Sequence, residues 1–207
     1  MTRLDEDGHW TEIYEAKAPT AVSWYQETAE PSLRALDRFG ASASSSLIDV
    51  GGGASNLVDA LLEHGWQDLT VLDIAAPALE ASKARLGARA ERVRWEVADI
   101  TDWHPRRRFD VWHDRAVFHF FTEPERREAY RSALSRGVAE RGLAIIATFA
   151  LDGPEKCSGL PVKRYDAVSL AAEMGDGFQL IGGWPEEHVT PWGISQSFNW
   201  CAFRRTG

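Results

Sequence analysis

The sequence is poor in the residues that cross-link small proteins or bind metals. Its 207 residues include only two cysteines, Cys157 and Cys201, which lie far apart and form no C-x-x-C pair. Such sparse thiols exclude a disulfide framework and a zinc ribbon, and they fit a reducing compartment. The six histidines show no clustered spacing with these cysteines. We therefore expect no metal site.

Long apolar runs and positive charge are also scarce. The first ten residues are charged and lack the apolar stretch of a secretory signal, and no segment approaches the length of a membrane span. Lys and Arg number 23 against 31 Asp and Glu, which gives a formal net charge of −8. That charge disfavours neutralisation of a phosphate backbone. We expect a cytoplasmic protein with no membrane or nucleic-acid partner.

Apolar runs alternate with helical patterns from residue 47 onward, which is typical of a parallel sheet covered by helices. The predicted strands are 47–50, 69–72, 93–97, 109–112, 143–149, 178–181 and 197–203. The predicted helices are 55–64, 77–86, 123–138 and 166–173, the third of them starting with a Thr122-x-x-Glu125 capping box. The last two strands are expected to pair antiparallel, because the segment between them is too short for a crossover helix.

The first 40 residues differ from the rest of the chain. At 207 residues the chain suits one well-buried domain with an N-terminal extension. We predict a helical, aromatic lid over residues 1–40 and the sheet domain over residues 41–207. Trp10, Trp24 and Tyr25 in the first segment are available to cover a site, with packing against the domain as their alternative use.

A glycine turn carries the most information. A short apolar run enters the segment Asp49-Val50-Gly51-Gly52-Gly53-Ala54-Ser55-Asn56, and a helical pattern leaves it. Glycines let the backbone turn closely around a ligand and the next helix offers unpaired N–H groups, so a nucleotide-like cofactor is indicated. Asn56 stands where a dinucleotide fingerprint has its third glycine. Asp49 would oppose a pyrophosphate, and its charge favours the cationic amino-acid end of a sulfonium cofactor.

The acids that follow this turn fall in the order of a known family. The pattern is Asp49-x-Gly51-x-Gly53, then Asp73, Asp99-Ile100 and Asp110. It resembles the class I S-adenosylmethionine-dependent methyltransferases. The resemblance implies an α/β, Rossmann-like, seven-stranded and mostly parallel sheet with helices on both faces and an antiparallel final strand. It makes residues 41–207 the S-adenosylmethionine-binding methyltransferase domain.

The resemblance also implies a role for each part of the pattern. The glycine turn holds the methionine end of the cofactor. Asp73 ends the second strand and binds both ribose hydroxyls, which a carboxylate can accept. Asp99 and its apolar neighbour Ile100 bind the adenine. The implied cofactor-binding residues are Asp49, Gly51, Gly52, Gly53, Asp73, Ile74, Asp99, Ile100 and Trp24.

The segment 113–121 follows the fourth predicted strand, where open parallel sheets place reacting groups. Its Asp114-Arg115-Ala116 resembles the Asp-Arg-Ala or Asp-Arg-Gly segment of thiopurine S-methyltransferases, and more loosely the Asp-Lys-Gly segment of elongation-factor lysine methyltransferases. We therefore predict His113, Asp114 and Arg115 as catalytic residues. A structural ion pair is an equal alternative for Asp114. His119, among aromatics, is predicted to be packed.

The methyl acceptor stays open between two classes. A small molecule with a soft nucleophile is favoured, because a thiolate needs no strong base, whereas a protein lysine must first lose a proton. Cys157 is placed to line the acceptor pocket, with a plain loop or buried cysteine as the favoured alternative. Two more distant alternatives are a nicotinamide-dependent oxidoreductase and a non-catalytic regulator that binds the cofactor.

Overall fold

The computed structural model describes residues 3–16 and 19–207, with side chains for 8–16 and 20–207. Part of the predicted lid, residues 1, 2, 17 and 18, lies outside the described residues. The helices are α1 (Arg3–Ala16), α2 (Glu30–Arg38), α3 (Leu57–Glu63), α4 (Ala76–Leu86), α5 (Pro124–Gly137) and α6 (Ala167–Met174). Short 3-10 turns cover Pro19–Ala21, Gly87–Arg92 and Phe118–Phe120.

Seven strands form one sheet: β1 (Ser46–Val50), β2 (Asp68–Asp73), β3 (Val93–Val97), β4 (Phe109–Arg115), β5 (Val138–Phe149), β8 (Phe178–Val189) and β9 (Ser195–Arg205). Strands β6 (Lys156–Cys157) and β7 (Leu160–Pro161) form a separate small hairpin. The order in the large sheet is β3-β2-β1-β4-β5-β9-β8. The first five pair parallel, whereas β9 runs antiparallel to both β5 and β8. The predicted fold class is confirmed.

Helices cover both faces of the sheet because its central strands are apolar on both sides. Every residue of β1 is buried. Leu47 belongs to the core cluster that includes residues of α2, α3 and α4, and its neighbour Ile48 belongs to the cluster that includes residues of α5 and α6. This alternation is what an extended strand imposes when helices lie on both faces. No helix within the described ranges is both long and apolar enough to cross a membrane.

Helix α5 starts one residue later than the capping-box pattern predicts. Its N-cap is Glu123, in an extended conformation and without a side-chain cap hydrogen bond. The predicted box at Thr122 is therefore wrong, and Pro124 in the first turn defines the start, since its fixed φ suits a helix entry. The capping box appears instead at α6, where Asp166 and Ser169 bond each other's backbone.

Strands β8 and β9 are longer than predicted. The pair continues from Phe178↔Arg205 through Val189↔Ser195, across the Gly182-Gly183 and Pro185 positions that broke the sequence pattern. Strand β8 lies at the sheet edge, where a proline is tolerated because no further strand requires its N–H. At Gly182 an added Cβ would lie 2.5 Å from the Phe39 ring, so this glycine admits an aromatic side chain against the strand.

Candidate functional site

The glycine turn lies between two carboxylates at the carboxyl edge of the sheet. Gly51 has φ 68° and its N–H donates to Leu72 O at 2.7 Å. A Cβ on Gly52 would lie 2.4 Å from Asp49 Oδ2, and one on Gly53 would lie 2.5 Å from Asp73 Oδ2. Any side chain at these positions would displace an acid. The turn and the two acids predicted to act together are therefore built as one unit.

Asn56 joins this turn to the N-terminal segment. Its Nδ2 donates to Gln26 O at 2.9 Å and lies 3.3 Å from Glu27 O. A glycine at this position, as in a dinucleotide fingerprint, would lack that amide. Asn56, the residue that argues against a dinucleotide site, thus connects the segment 22–29 to the glycine turn by hydrogen bonding.

Two cavities open along the carboxyl edge. The first, about 760 Å³ including its mouth, contains the Asp73–Ile74 and Asp99–Ile100 pairs, and aromatic side chains cover it. The second, about 620 Å³, lies against the glycine turn and contains Asp49. The cavities meet at residues that line both of them, which are Tyr14, Trp24, Val50, Gly51 and Arg115.

The two acids of the first cavity hold different local contacts. Asp73 is 6% exposed, and its Oδ1 accepts the Ala75 N–H at 2.8 Å. Burial raises the pKa of Asp73 to about 7, with a further contribution from the charge of Asp49. Asp99 Oδ1 accepts from Thr101 N and Oγ1 at 2.8 Å each, while Asp99 Oδ2 faces Arg126 Nη2 at 3.5 Å. Both acids thus retain acceptor capacity toward the cavity.

The three residues predicted to be catalytic do not share one side of the sheet. They form the end of β4 rather than a loop after it. Successive side chains of a strand point to opposite faces. His113 and Arg115 accordingly line the second cavity, and Arg115 lines the first as well, whereas Asp114 lines neither.

Asp114 lies fully buried on the α5 side of the sheet. Its carboxylate accepts the Tyr130 hydroxyl at 2.6 Å and the Val117 N–H at 2.9 Å, and it also accepts the Phe118 N–H. Burial raises the pKa of Asp114 to about 6, opposed by these hydrogen bonds. This placement favours a structural role for Asp114, fixing the turn after β4, with a hydroxyl and backbone N–H groups as partners in place of the predicted cation.

Tyr130→Phe is expected to lower the free energy of unfolding by about 2 kcal/mol. The Tyr130 hydroxyl donates to Asp114 and accepts from Trp112 Nε1 at 3.0 Å, so its removal leaves the buried Trp112 donor unpaired and takes one hydrogen bond from the buried Asp114 carboxylate. Urea denaturation measures this change. The affinity for S-adenosylhomocysteine should stay within about twofold of wild type. A tenfold loss would instead indicate that Asp114 contributes to the ligand site.

Arg115 is buried with unused hydrogen-bonding capacity. Its Nη1 donates to Trp24 O at 3.0 Å, and its guanidinium lies 4.7 Å from the centre of the Phe198 ring. Nε and Nη2 are buried and have no hydrogen-bond partner in the part of the chain that the structure describes. Burial lowers the pKa of Arg115 to about 10. A guanidinium held in this way is suited to a ligand that supplies acceptors.

Aromatic rings from α1 and the segment after it enclose the first cavity. Trp10 packs edge-on against Trp24 and Phe120, with ring centres 5.6 and 5.1 Å apart, and Tyr14 lies 6.1 Å from Trp24. Trp24 lines both cavities, within a larger aromatic group. Of the predicted aromatics, Tyr25 lines only the second cavity.

Cys157 lines a cavity, whereas His119 is packed in the core. Cys157 lines the first cavity, and burial raises the pKa of its thiol to about 11, so it stays protonated. His119 is fully buried and packs against Phe120 and Phe149, with ring centres 4.6 and 4.7 Å away. Burial lowers the pKa of His119 to about 3, with a further contribution from Arg115. The packed role predicted for this histidine agrees with its position.

Asp110 fits the family pattern in sequence but lies away from the candidate site. It lies near the start of β4, at the opposite edge of the sheet, and its Oδ2 accepts from Ser46 N and Oγ at 2.8 Å each. Asp110 therefore ties two strand starts together and takes no part in the site. Among the described residues, no group of three or more His, Cys, Asp or Glu is placed to hold a metal ion.

Two site residues could not be found from the sequence. Arg126, in the first turns of α5, lines the first cavity beside Asp99, and its guanidinium lies 4.8 Å from the centre of the Phe121 ring. Ser32 of α2 bonds His113, 81 residues away. A basic residue soon after the fourth strand was a weak signal for Arg126. No local pattern marks Ser32.

Residues 47–139 match the family described as a methyltransferase domain. A search of curated proteins finds no match. The matched domain and the fold support an S-adenosylmethionine-dependent methyltransferase, with S-adenosylmethionine as cofactor. The oxidoreductase alternative is thereby set aside. The residues present fit this cofactor, because Asp49 Oδ2 is a buried acceptor with no partner among the described residues and lies against a glycine cradle that a Cβ would fill.

Solved structures share the fold at low sequence identity. The structure reported for the conversion of a disulfide bond into a thioacetal group during echinomycin biosynthesis is 23% identical, with a TM-score of 0.75 over 97% of this chain and 93% of that one. A methyltransferase from Anabaena variabilis is 13% identical, with a TM-score of 0.76 over 97% and 95%. The Burkholderia thailandensis 1,6-didemethyltoxoflavin-N1-methyltransferase, with bound S-adenosylhomocysteine, is 18% identical, with a TM-score of 0.69 over 99% and 85%.

Proposed function

We propose that this methyltransferase acts on a small molecule with a soft, thiol-type nucleophile, bound in the first cavity beside Arg115. One observation carries the proposal: an aromatic-walled cavity, covered by α1, is lined by Arg115, and two of the guanidinium nitrogens of Arg115 are buried without a partner among the described residues. Enclosed apolar walls with a few converging polar groups are typical of small-ligand sites.

The cofactor roles follow from the two cavities. Asp49, Gly51 and Gly52 would receive the methionine end in the second cavity, with Asp49 Oδ2 accepting from the ammonium group, and Gly53 would complete the turn beside Asp73. Asp73, with Ile74 beside it, receives the ribose hydroxyls in the first cavity. Asp99 and Ile100 receive the adenine. S-adenosylmethionine held by these residues would supply the methyl group, and Tyr14, Trp24 and Arg115, which line both cavities, would border the bound cofactor and the acceptor.

The acceptor must bring a nucleophile that needs little help from a base. The described residues that line the first cavity include no histidine or lysine, and its carboxylates are Asp73 and Asp99, which the cofactor occupies. A thiol in water ionises near pH ~8.5, about two units below a lysine amine, and the guanidinium of Arg115 favours the thiolate against the effect of burial. The fold neighbour from echinomycin biosynthesis is reported for a reaction at a disulfide bond, which is also sulfur chemistry.

A protein lysine is the alternative acceptor. An open acidic groove would favour it, because a lysine side chain has to enter from a protein surface and lose a proton. Trp10 and Tyr14 cover the cavity instead, and Arg115 would repel an ammonium group. These contacts favour the small molecule.

The test is a comparison of acceptors with purified enzyme and labelled S-adenosylmethionine. We expect methylation of members of a panel of aromatic and heteroaromatic thiols, and no labelling of lysine peptides or lysate proteins. Labelling of protein bands without any thiol turnover would reverse the choice of acceptor. Binding of S-adenosylhomocysteine without turnover of any acceptor would favour the non-catalytic regulator.

Arg115→Met is expected to lower kcat/KM for the thiol acceptor by about tenfold or more, since methionine keeps much of the length but none of the N–H donors. Affinity for S-adenosylhomocysteine should change by less than about threefold. Arg94→Met is the matched control, because Arg94 is an exposed arginine paired with Asp68 on the first strands. Equal kinetics for the two variants would remove Arg115 from the acceptor site.

A further inference from the structure

Three buried polar side chains form a line behind the second cavity. Asp49 Oδ1 lies 2.7 Å from His113 Nδ1, and His113 Nε2 lies 3.0 Å from Ser32 Oγ. Asp49, His113 and Ser32 are 3%, 2% and 2% exposed. Asp49 and His113 are register partners on the neighbouring strands β1 and β4, so their side chains share one face of the sheet. Ser32 comes from α2, which packs over that face.

The direction of the first hydrogen bond is fixed by chemistry. An ionised carboxylate can only accept, so His113 Nδ1 carries the proton and donates to Asp49 Oδ1. The second nitrogen, Nε2, meets a hydroxyl that can either donate or accept. The histidine ring is therefore held from both ends.

Only one of the two carboxylate oxygens of Asp49 has a hydrogen-bond partner among the described residues. Oδ1 is taken by His113, whereas Oδ2 is buried and has no hydrogen-bond partner within the described ranges. Oδ2 lies against the backbone of the glycine turn, 2.4 Å from the position that a Gly52 Cβ would take. Both Asp49 and Gly52 line the second cavity. One oxygen is anchored and the other is available to a cationic ligand group.

We propose that His113 is a positioning residue for the ammonium group of the cofactor. It acts through Asp49, by holding the carboxylate in the rotamer that presents Oδ2 to the second cavity, and Ser32 holds the ring in place. This inference rests on the proposed function only in placing the methionine end in the second cavity. It replaces the catalytic role predicted for His113, which does not line the acceptor cavity.

Ser32 extends this arrangement to the N-terminal segment. Because α2 supplies the hydroxyl that fixes the ring, the position of α2 bears on how well Asp49 is presented. Asn56, which bonds Gln26 O and lies near Glu27 O, ties the same segment to the glycine turn. The 22–38 region thereby contributes to recognition of the amino-acid end of the cofactor.

Two ligands separate this role from a general effect on the site. S-adenosylhomocysteine carries the ammonium group, whereas 5′-methylthioadenosine has the same adenosine and thioether but no amino-acid end. By calorimetry, His113→Leu should lose about tenfold or more in affinity for S-adenosylhomocysteine, the scale of one hydrogen bond to a charged group. Its affinity for 5′-methylthioadenosine should change by less than about twofold.

Conservative variants keep the test independent of folding. The amide nitrogen of asparagine can take the place of Nδ1, so His113→Asn should keep the affinity for S-adenosylhomocysteine within about threefold of wild type. Ser32→Ala, which leaves the Asp49 contact intact, should lose about threefold for S-adenosylhomocysteine alone. In a double-mutant cycle with Asp49→Asn, the effect of His113→Leu should largely disappear.

Two results would overturn the proposal. One is an equal loss of both ligands in the folded variants, which would mean that His113 only supports the shape of the site. The other is a His113→Asn variant as weak as His113→Leu. Failure of the wild-type protein to bind S-adenosylhomocysteine is a different outcome, because it would overturn the cofactor assignment itself.

Discussion

Asp73→Ala is expected to weaken binding of S-adenosylhomocysteine by about a hundredfold or more. Asp73 ends β2, is buried, and lines the first cavity. A carboxylate that accepts both ribose hydroxyls makes two charge-assisted hydrogen bonds, each contributing about 1.5–3 kcal/mol. Loss of both therefore reaches the roughly 2.7 kcal/mol that a hundredfold change requires. Isothermal titration calorimetry measures the difference directly.

The matched control for this variant is Glu80→Ala. Glu80 is an exposed acid on the neighbouring helix α4, paired with Lys83 at 2.7 Å. Its removal should leave the affinity unchanged, because a surface ion pair contributes little and lies outside both cavities. If Asp73→Ala bound S-adenosylhomocysteine as tightly as this control, the ribose assignment would be wrong.

Asp73 should also make the affinity for S-adenosylhomocysteine depend on pH. Burial raises the pKa of Asp73 to about 7 in the cofactor-free protein, and the charge of Asp49 adds to this. Hydroxyl donors need the ionised carboxylate, so affinity for S-adenosylhomocysteine should fall as pH decreases below about 7, and Asp73→Asn should flatten that part of the profile. Calorimetry between pH 5.5 and 8.5, values chosen to span about 1.5 units on either side, checks this.

The effect of Asp73 on the pH dependence of folding stability has the opposite sign to its effect on ligand affinity. A carboxyl whose folded pKa is raised above its unfolded value contributes stability at low pH, and this contribution is lost as pH rises through about 7. At pH about 8 the cofactor-free protein therefore holds a buried charge that Asp73→Asn removes. We expect that variant to have a higher Tm without ligand and to gain less Tm from S-adenosylhomocysteine. A lower ligand-free Tm would show that the charge is better compensated than its burial implies.

Local signals predict the fold well where a strand is buried on both faces. Residues 47–50 and 143–149 are continuous apolar runs, and both became central strands. The sequence predicts only residues 178–181 of the edge strand β8, because the second half of the strand alternates between exposed and more buried residues and carries charge, so apolar continuity says little about it. Its pairing with β9 is a long-range property that no local pattern contains.

The residues proposed to bind the cofactor could be placed together from the sequence because they lie near strand ends. Asp49, Asp73 and Asp99 each lie within two residues of the end of a predicted strand, and the parallel sheet brings those ends to one edge. The acceptor half was less accessible. The sequence analysis places His113, Asp114 and Arg115 together after the fourth strand. Strand β4 instead continues through Arg115, and the alternation of its side chains points Asp114 to the opposite face of the sheet.

Gly51→Ala is expected to lower the free energy of unfolding by about 3 kcal/mol or more, and to abolish measurable cofactor binding. Two costs combine. The φ of 68° is a left-handed conformation that costs a residue with a Cβ about 1–2 kcal/mol. The added Cβ would also lie 2.1 Å from Val117 Cγ2, and overpacking of this kind costs about 1–3 kcal/mol more. Urea denaturation with and without S-adenosylhomocysteine measures both effects.

Gly65→Ala separates the two costs of the Gly51 variant. Gly65 has φ 84° but no heavy atom within 4 Å of an added Cβ, so it carries the backbone cost alone, about 1–2 kcal/mol. Adding Val117→Ala to Gly51→Ala should recover part of the lost stability by removing the clash, while the strain remains. Equal destabilisation by Gly51→Ala and Gly65→Ala would mean that Val117 moves aside freely. The turn would then be held by backbone conformation alone, and Val117, which also lines the first cavity, would be free to adjust when ligands bind.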